Sequence, residues 1–204
     1  MKILRVLAGI GLFVAGLFGL GQLGIISFFS TFVSGLLGYW LIFGTAEFEG
    51  LFKKPQRGWL KWSLLMLLIN ALWSLGAGAI LQLLGLTLHA NPVVDTFGVM
   101  LPFIPFMLMG EELLSLALLN GARKFIPTLA ASIFSAVIFG LIHFNTYWNG
   151  DLSTTLLHIL LIQGVARIFL NIAYLKADSI WGSWSTHLAF DLFTLGFAAL
   201  LSTQ

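Results

Sequence analysis

Seven long stretches of this chain are almost wholly apolar, at 4–21, 25–46, 59–84, 96–120, 127–145, 153–175 and 180–201, with short polar breaks between them. A helix needs about 20 apolar residues to cross the hydrocarbon of a bilayer. The stretches meet that length, and none alternates polar with apolar residues as a membrane β-barrel strand does. Only 9% of the 204 residues are charged and 59% are hydrophobic, against roughly 25% charged in a soluble domain. So few polar groups do not cover a water-exposed surface. Lipid covers it instead, and within lipid a helix satisfies its own backbone groups. The expected fold class is therefore all-α: a polytopic membrane helix bundle of about seven transmembrane helices, a single integral-membrane domain over 1–204 in contact with the lipid bilayer.

The breaks carry turn-forming residues. Gly21-Gln22-Leu23-Gly24 reads as a tight turn, Glu47 to Gly58 as a charged loop, and His89-Ala90-Asn91-Pro92 as a polar loop. Gly121 to Lys124 runs toward Pro127, Asn145 to Ser153 forms a polar turn, and Lys176-Ala177-Asp178 closes the sixth stretch. Charge tests this count independently. Lys2 and Arg5, then Lys53, Lys54, Arg57 and Lys61, then Arg123 and Lys124, then Lys176 fall at every second break, while 22–24, 85–95 and 146–152 carry no Lys or Arg. By the positive-inside rule this expects a cytoplasmic N-terminus and a C-terminus on the other side of the cell membrane. Tyr39, Trp40, Trp59, Trp62, Tyr147, Trp148, Tyr174, Trp181 and Trp184 fall near span ends, where aromatic belts are expected. Met1 to Arg5 followed by apolar residues imitates a secretory signal, but no A-x-A-like cleavage site precedes Gln22, so an uncleaved first span is expected.

Some chemistries are excluded at once. With no cysteine there is no disulfide, thiolate nucleophile or Cys-ligated zinc. The net charge of +2 comes without a Lys/Arg stripe, so no nucleic-acid partner is expected. There is no H-E-x-x-H and no G-x-S-G nucleophile motif.

Ionisable groups inside a span are costly and point to function. Glu111, Glu112, His143, His158, Arg167, His187 and Asp191 all fall in the last four stretches. Residues 1–95 therefore read as scaffold spans and 96–201 as the spans that carry the site. Adjacent Glu111 and Glu112 lie about 100° apart on a helix, so one faces a site while the other serves its flank. Two close carboxylates also resist ionising together, a setting suited to a general base. Phe139 lies one turn before His143 on the same face. His187 and Asp191, at i and i+4, share another, a spacing that suits a carboxylate orienting an imidazole or two ligands meeting one metal. His158 reads as structural or interfacial, and Arg167 as a neutralising partner for Glu112 or Asp191. Depths counted from the expected cytoplasmic span ends leave a spread of about 14 Å between His143 and His187.

These three motifs resemble those of the CAAX-protease and bacteriocin-processing family, intramembrane proteases related to type II CAAX prenyl endopeptidases. Its EExxxR, FxxxH and HxxxN/D motifs match Glu111-Glu112, Phe139 to His143, and His187 to Asp191, and Ser179-Ile180-Trp181 resembles its approach to the last motif. The resemblance covers roughly 100–195. It implies hydrolysis of a peptide bond in a peptide or protein substrate within or beside the membrane. Glu111 is then the general base, His143 positions the water, and His187 stabilises the oxyanion. Asp191 fixes the His187 tautomer, while Glu112 tunes Glu111 or binds a partner helix. It equally implies a zinc version in which Glu111, His143, His187 and Asp191 hold the ion. One position departs: the motif arginine falls at Leu116, so that either Arg167 or Arg123 compensates or the chain belongs to a branch with altered or lost activity. A bacterial subset without this arginine is associated with bacteriocin self-immunity or peptide processing. A non-catalytic immunity or binding protein and a proton-coupled transporter are the alternatives that the same residues leave open.

Overall fold

The computed structural model describes residues 2–19 and 29–202, all of its regular structure helical among these residues. The helices are α1 (Lys2–Gly19), α2 (Ser30–Phe43), α3 (Thr45–Leu51), α4 (Trp59–Leu83), α5 (Phe97–Met100), α6 (Ile104–Ala122), α7 (Thr128–Ile142), α8 (Leu152–His158), α9 (Val165–Ala177) and α10 (Ile180–Ser202). A 3-10 turn, Pro92–Thr96, precedes α5, and a π-helical segment, Ile159–Gly164, fuses α8 to α9. Five helices are long and apolar enough to cross a membrane: Lys2–Gly19, Trp59–Leu83, Ile104–Ala122, Leu152–Ala177 and Ile180–Leu201. Two shorter apolar helices, Ser30–Phe43 and Thr128–Ile142, occupy the second and fifth expected stretches. The chain is a multi-pass membrane protein. The expected turn at 21–24 lies outside the described residues.

Two stretches depart from their expected limits and two tyrosines from their expected place, each for a physical reason. The expected helix over 96–120 is interrupted at Leu101–Phe103, and the long helix starts only at Ile104. Pro102 and Pro105 lack the N–H groups that the helical ladder needs at two positions in four, so the turn reorganises around the Phe103 N–H to Met100 carbonyl bond. The expected loop from Glu47 is helical as far as Leu51, because Phe48, Leu51 and Phe52 fall on one face and pack into the core. Gly44, at φ +84°, makes the corner before it. Tyr39 and Tyr147, expected in aromatic belts, are buried instead, their hydroxyls accepting from Asn120 (3.0 Å) and Asn91 (3.1 Å).

The breaks sort in space as their charges do in sequence. Lys53 pairs with Asp178, the Gln56 N–H donates to the Ala177 carbonyl at 2.9 Å, and Lys124 meets Glu47 at 3.0 Å. On the opposite face Asn149 donates to the Thr87 carbonyl at 2.6 Å, beside the Asn91–Tyr147 bond. One face is thus basic and the other carries no Lys or Arg.

The apolar core surrounds α6. Leu113, Leu116 and Leu119 are fully buried against Phe13, Tyr39, Leu51 and Ile180. Gly110 permits this approach, since a Cβ there would stand 2.6 Å from the Phe32 nitrogen and the Thr31 carbonyl carbon. Gly110→Val is expected to destabilise the protein by roughly 1–3 kcal/mol through overpacking. Gly76→Ala, with nothing within 4 Å of its Cβ, is expected to change little. Thermal unfolding of both variants in detergent checks this.

Candidate active site

A carboxylate inside a packed bundle needs a partner, and the packing of α6 gives one. Arg167 of α9 directs Nη1 to Glu112 Oε1 at 2.6 Å, with both side chains 0% exposed. The Nε edge of the guanidinium is fixed from its own helix and, through Asn171, from α7. Nε donates to Asn171 Oδ1 at 2.9 Å, one turn on, and Asn171 Nδ2 donates to Ser132 Oγ at 2.9 Å. Arg123, the other candidate, lies at the end of α6, bonded to Asn120 and exposed. Of the two arginines, it is therefore Arg167, from across the bundle, that pairs with Glu112.

The same Glu112 oxygen accepts from His187 Nδ1 at 3.0 Å. That bond orients the imidazole so that Nε2 faces Glu111 Oε2 (4.0 Å) and Asp191 Oδ1 (3.9 Å). Here the structure differs from the i, i+4 expectation: Glu112, not Asp191, is the carboxylate at hydrogen-bonding distance from His187. His143 caps the C-terminus of α7, and its Nδ1 donates to the Phe139 carbonyl at 2.7 Å. Its Nε2 then faces Glu111 Oε2 at 3.9 Å. The Phe139 ring neighbours both imidazoles, with centroids 4.7 Å from His143 and 6.1 Å from His187. Glu111, Glu112, His143, His187 and Asp191 thus occupy one locality, and the 14 Å spread disappears.

The spread vanishes because the spans do not begin at one level. The α9–α10 turn is roofed by the chain that follows α3: Ser179 Oγ donates to the Lys53 carbonyl at 2.6 Å and Trp181 Nε1 to the Phe52 carbonyl at 3.1 Å. Ala177, Ser179 and Ile180 are fully buried, so α10 starts inside the protein and His187 sits deeper than a count from the surface gives. The first turn of α7, by contrast, is exposed at Leu129, and Phe125 just before it is 88% exposed.

Glu111, His143, His187 and Asp191 open into a cavity of about 960 Å³. Its walls include Ala71, Leu75 and Gln82 of α4 and Phe190 of α10. His158, Tyr147 and Gln163 also reach it, with the His158 ring 4.6 Å from that of Tyr147. His158 is therefore a cavity residue rather than an interfacial one. It sits where the π segment begins, with the Ile159 carbonyl 2.8 Å from where a Cβ on Gly140 would stand. Asn171 and Ser132 were not singled out by sequence. The i, i+4 spacing of Arg167 and Asn171 is a signal for the first, and nothing local marks the second.

Two imidazoles and two carboxylates are donors of the kind zinc takes. Their separations of 3.9–4.0 Å exceed the edge of about 3.3 Å that Zn–N and Zn–O bonds near 2.0–2.1 Å imply. Among the described residues no group of three or more His, Cys, Asp or Glu is arranged to hold a metal ion. The residues as arranged do not fit the ion.

The model of the family described as Type II CAAX prenyl endopeptidase Rce1-like matches residues 93–193, a segment that holds the five site residues and Arg167. No curated protein and no solved structure matches the chain. Removing one partner of a buried ion pair costs roughly 3–5 kcal/mol. Arg167→Met is expected to destabilise the bundle by that order, and Arg167→Met combined with Glu112→Gln is expected to recover most of the loss. Thermal unfolding in detergent measures both.

Proposed function

The chain belongs, through residues 93–193, to the Type II CAAX prenyl endopeptidase Rce1-like family, and from that premise we propose that it hydrolyses a peptide bond with a water activated by Glu111. The observation that carries the reading is the direction of the two imidazoles. Each has Nδ1 engaged, by Phe139 O or Glu112 Oε1, and each turns Nε2 toward the same Glu111 oxygen at 3.9–4.0 Å. That gap is too long for a direct hydrogen bond and is the span one water bridges.

In this mechanism the water donates one hydrogen to Glu111 and the other to the unprotonated Nε2 of His143. Glu111 takes its proton as the water oxygen bonds to the scissile carbonyl carbon, and the carbonyl π pair moves to oxygen. His187, doubly protonated between Glu112 and Asp191, donates from Nε2 to that oxyanion. When the intermediate collapses, the C–N bond breaks and the leaving amine takes the proton from Glu111. Glu112 is the positioning residue that sets the His187 ring, with Arg167 as its counter-charge. Asp191, an acceptor only when ionised, serves as the counter-charge on the cavity side of His187.

The Arg167 guanidinium beside Glu112 supports the catalytic reading over the non-catalytic one. Bacteriocin self-immunity or peptide maturation is a context this chemistry serves, and there protection requires an intact Glu111.

Glu111→Gln keeps the shape of the side chain and removes the base. It is expected to lower peptide hydrolysis in proteoliposomes by about 10²–10⁴-fold while thermal stability stays close to that of the parent. Purified protein is expected to retain activity in the presence of a zinc chelator. Stoichiometric zinc together with chelator-sensitive turnover overturns the metal-free mechanism, and full hydrolysis or full protection by Glu111→Gln overturns catalysis by this residue.

A further inference from the structure

The cavity is asymmetric with respect to the two faces of the bundle. Its walls come from the half of the molecule near the breaks without Lys or Arg: His89 to Val94, Thr146 and Tyr147, and the C-terminal portions of α4 and α10. Among the described residues, none of the basic breaks at 52–58, 123–127 and 176–179 contributes to it. The approach from the basic face is closed in layers. Beneath Glu111 and His187 lies the Glu112–Arg167 pair, fully buried. Below that, Leu113, Leu116, Leu119 and Ile180 are 0% exposed. Asn120 then ties α6 to α2 and α9 through the hydroxyls of Tyr39 (3.0 Å) and Tyr174 (2.9 Å). The fold-back of 52–56 onto Ala177 and Ser179 covers the start of α10. A peptide from the basic face has to unpack the core; one from the other face does not.

We infer that the substrate enters from the face without Lys or Arg, and that the protein therefore acts on an extracytoplasmic peptide segment rather than a cytoplasmic one. Orientation follows from the charge asymmetry: the terminal Lys2 and Arg5 and the basic breaks all belong to one side, and such loops remain in the cytoplasm. The segment received is uncharged and largely apolar. Apart from Glu111 and Asp191 at its floor, the cavity presents no carboxylate and no Lys or Arg among the described residues. Its walls are rich in groups such as Ala71, Leu75, Leu88, Val93, Phe190 and Phe193. This inference rests on reading the Glu111 site as the hydrolytic one, but its test does not.

The chain contains no cysteine, so single substitutions report accessibility without background. Thr146→Cys and Thr194→Cys place thiols in the cavity wall, and Phe125→Cys places one at the exposed edge of the basic face. A membrane-impermeant maleimide is expected to label the two cavity variants in intact right-side-out cells and to label Phe125→Cys only in inside-out vesicles. Variants that fail to match the parent's unfolding midpoint are replaced by Ala71→Cys and Ile126→Cys. Cavity thiols labelled only in inside-out vesicles, or in neither preparation, overturn the inference. So does labelling of Phe125→Cys in intact cells. Because labelling needs no turnover, an inactive but correctly labelled protein refutes the proteolytic reading alone.

Discussion

A guanidinium and a carboxylate at 2.6 Å, both withdrawn completely from solvent, set the terms for the rest of this molecule. Neither charge is tolerable alone in a packed bundle within lipid. Together they fix which face of α9 meets which face of α6. Glu112 Oε1 is shared between Arg167 and His187, so α10 is registered against the same point. Three helices are thereby located by one oxygen atom. Glu111, the next residue on α6, is turned by about a quarter of a revolution toward the cavity, where it is met by the free nitrogen of each imidazole.

Much of this architecture is legible in the sequence because its causes are local or additive. Span-length apolar runs and the alternation of basic and bare breaks depend on composition over tens of residues, and lipid reads composition directly. The grouping of Glu111, His143, His187 and Asp191 is legible because the cost of burying ionisable groups leaves few reasons to retain them. What was not legible depends on relations between distant segments. The choice of Arg167 over Arg123 required knowing that α9 packs beside α6 and that residue 123 reaches only the end of its helix. The apparent mismatch in depth arose because the polar stretch after α3 folds over the α9–α10 turn, a contact across more than a hundred residues. Pro102 and Pro105 are the local signal against a continuous fourth span, since each removes a ladder donor from an otherwise apolar run.

The molecule divides along its length into a sealed half and an open half, and the site lies on the boundary. In the sealed half, leucines and small residues pack without charge around α6, and an asparagine joins two tyrosines where α2, α6 and α9 end. In the open half, the π segment disturbs the helix between α8 and α9, and His158 and Gln163 at either part of it line the cavity. A π segment adds a residue to the turn and re-aims the side chains around it, which is why such segments gather at functional sites. Rigid packing on one side and an irregular polar wall on the other are the combination that holds reacting groups still while admitting a substrate.

Placing the arginine on α9 rather than at position 116 changes what the ion pair does. An arginine four residues after Glu112 sits one turn away on the same helix, where i, i+4 spacing forms the pair whether or not the bundle is assembled. An arginine on another helix forms it only when α9 is docked, and Arg167 is held in that pose by Asn171 and, through it, by Ser132 of α7. The orientation of His187 then depends on the assembly of α6, α7, α9 and α10 together, since the Glu112 oxygen that aligns it is stationary only while Arg167 holds it. Leu116, carrying no charge, belongs to the apolar layer that seals the basic face. With leucine at 116, the counter-charge of Glu112 comes from a helix across the bundle, and position 116 itself is part of the seal.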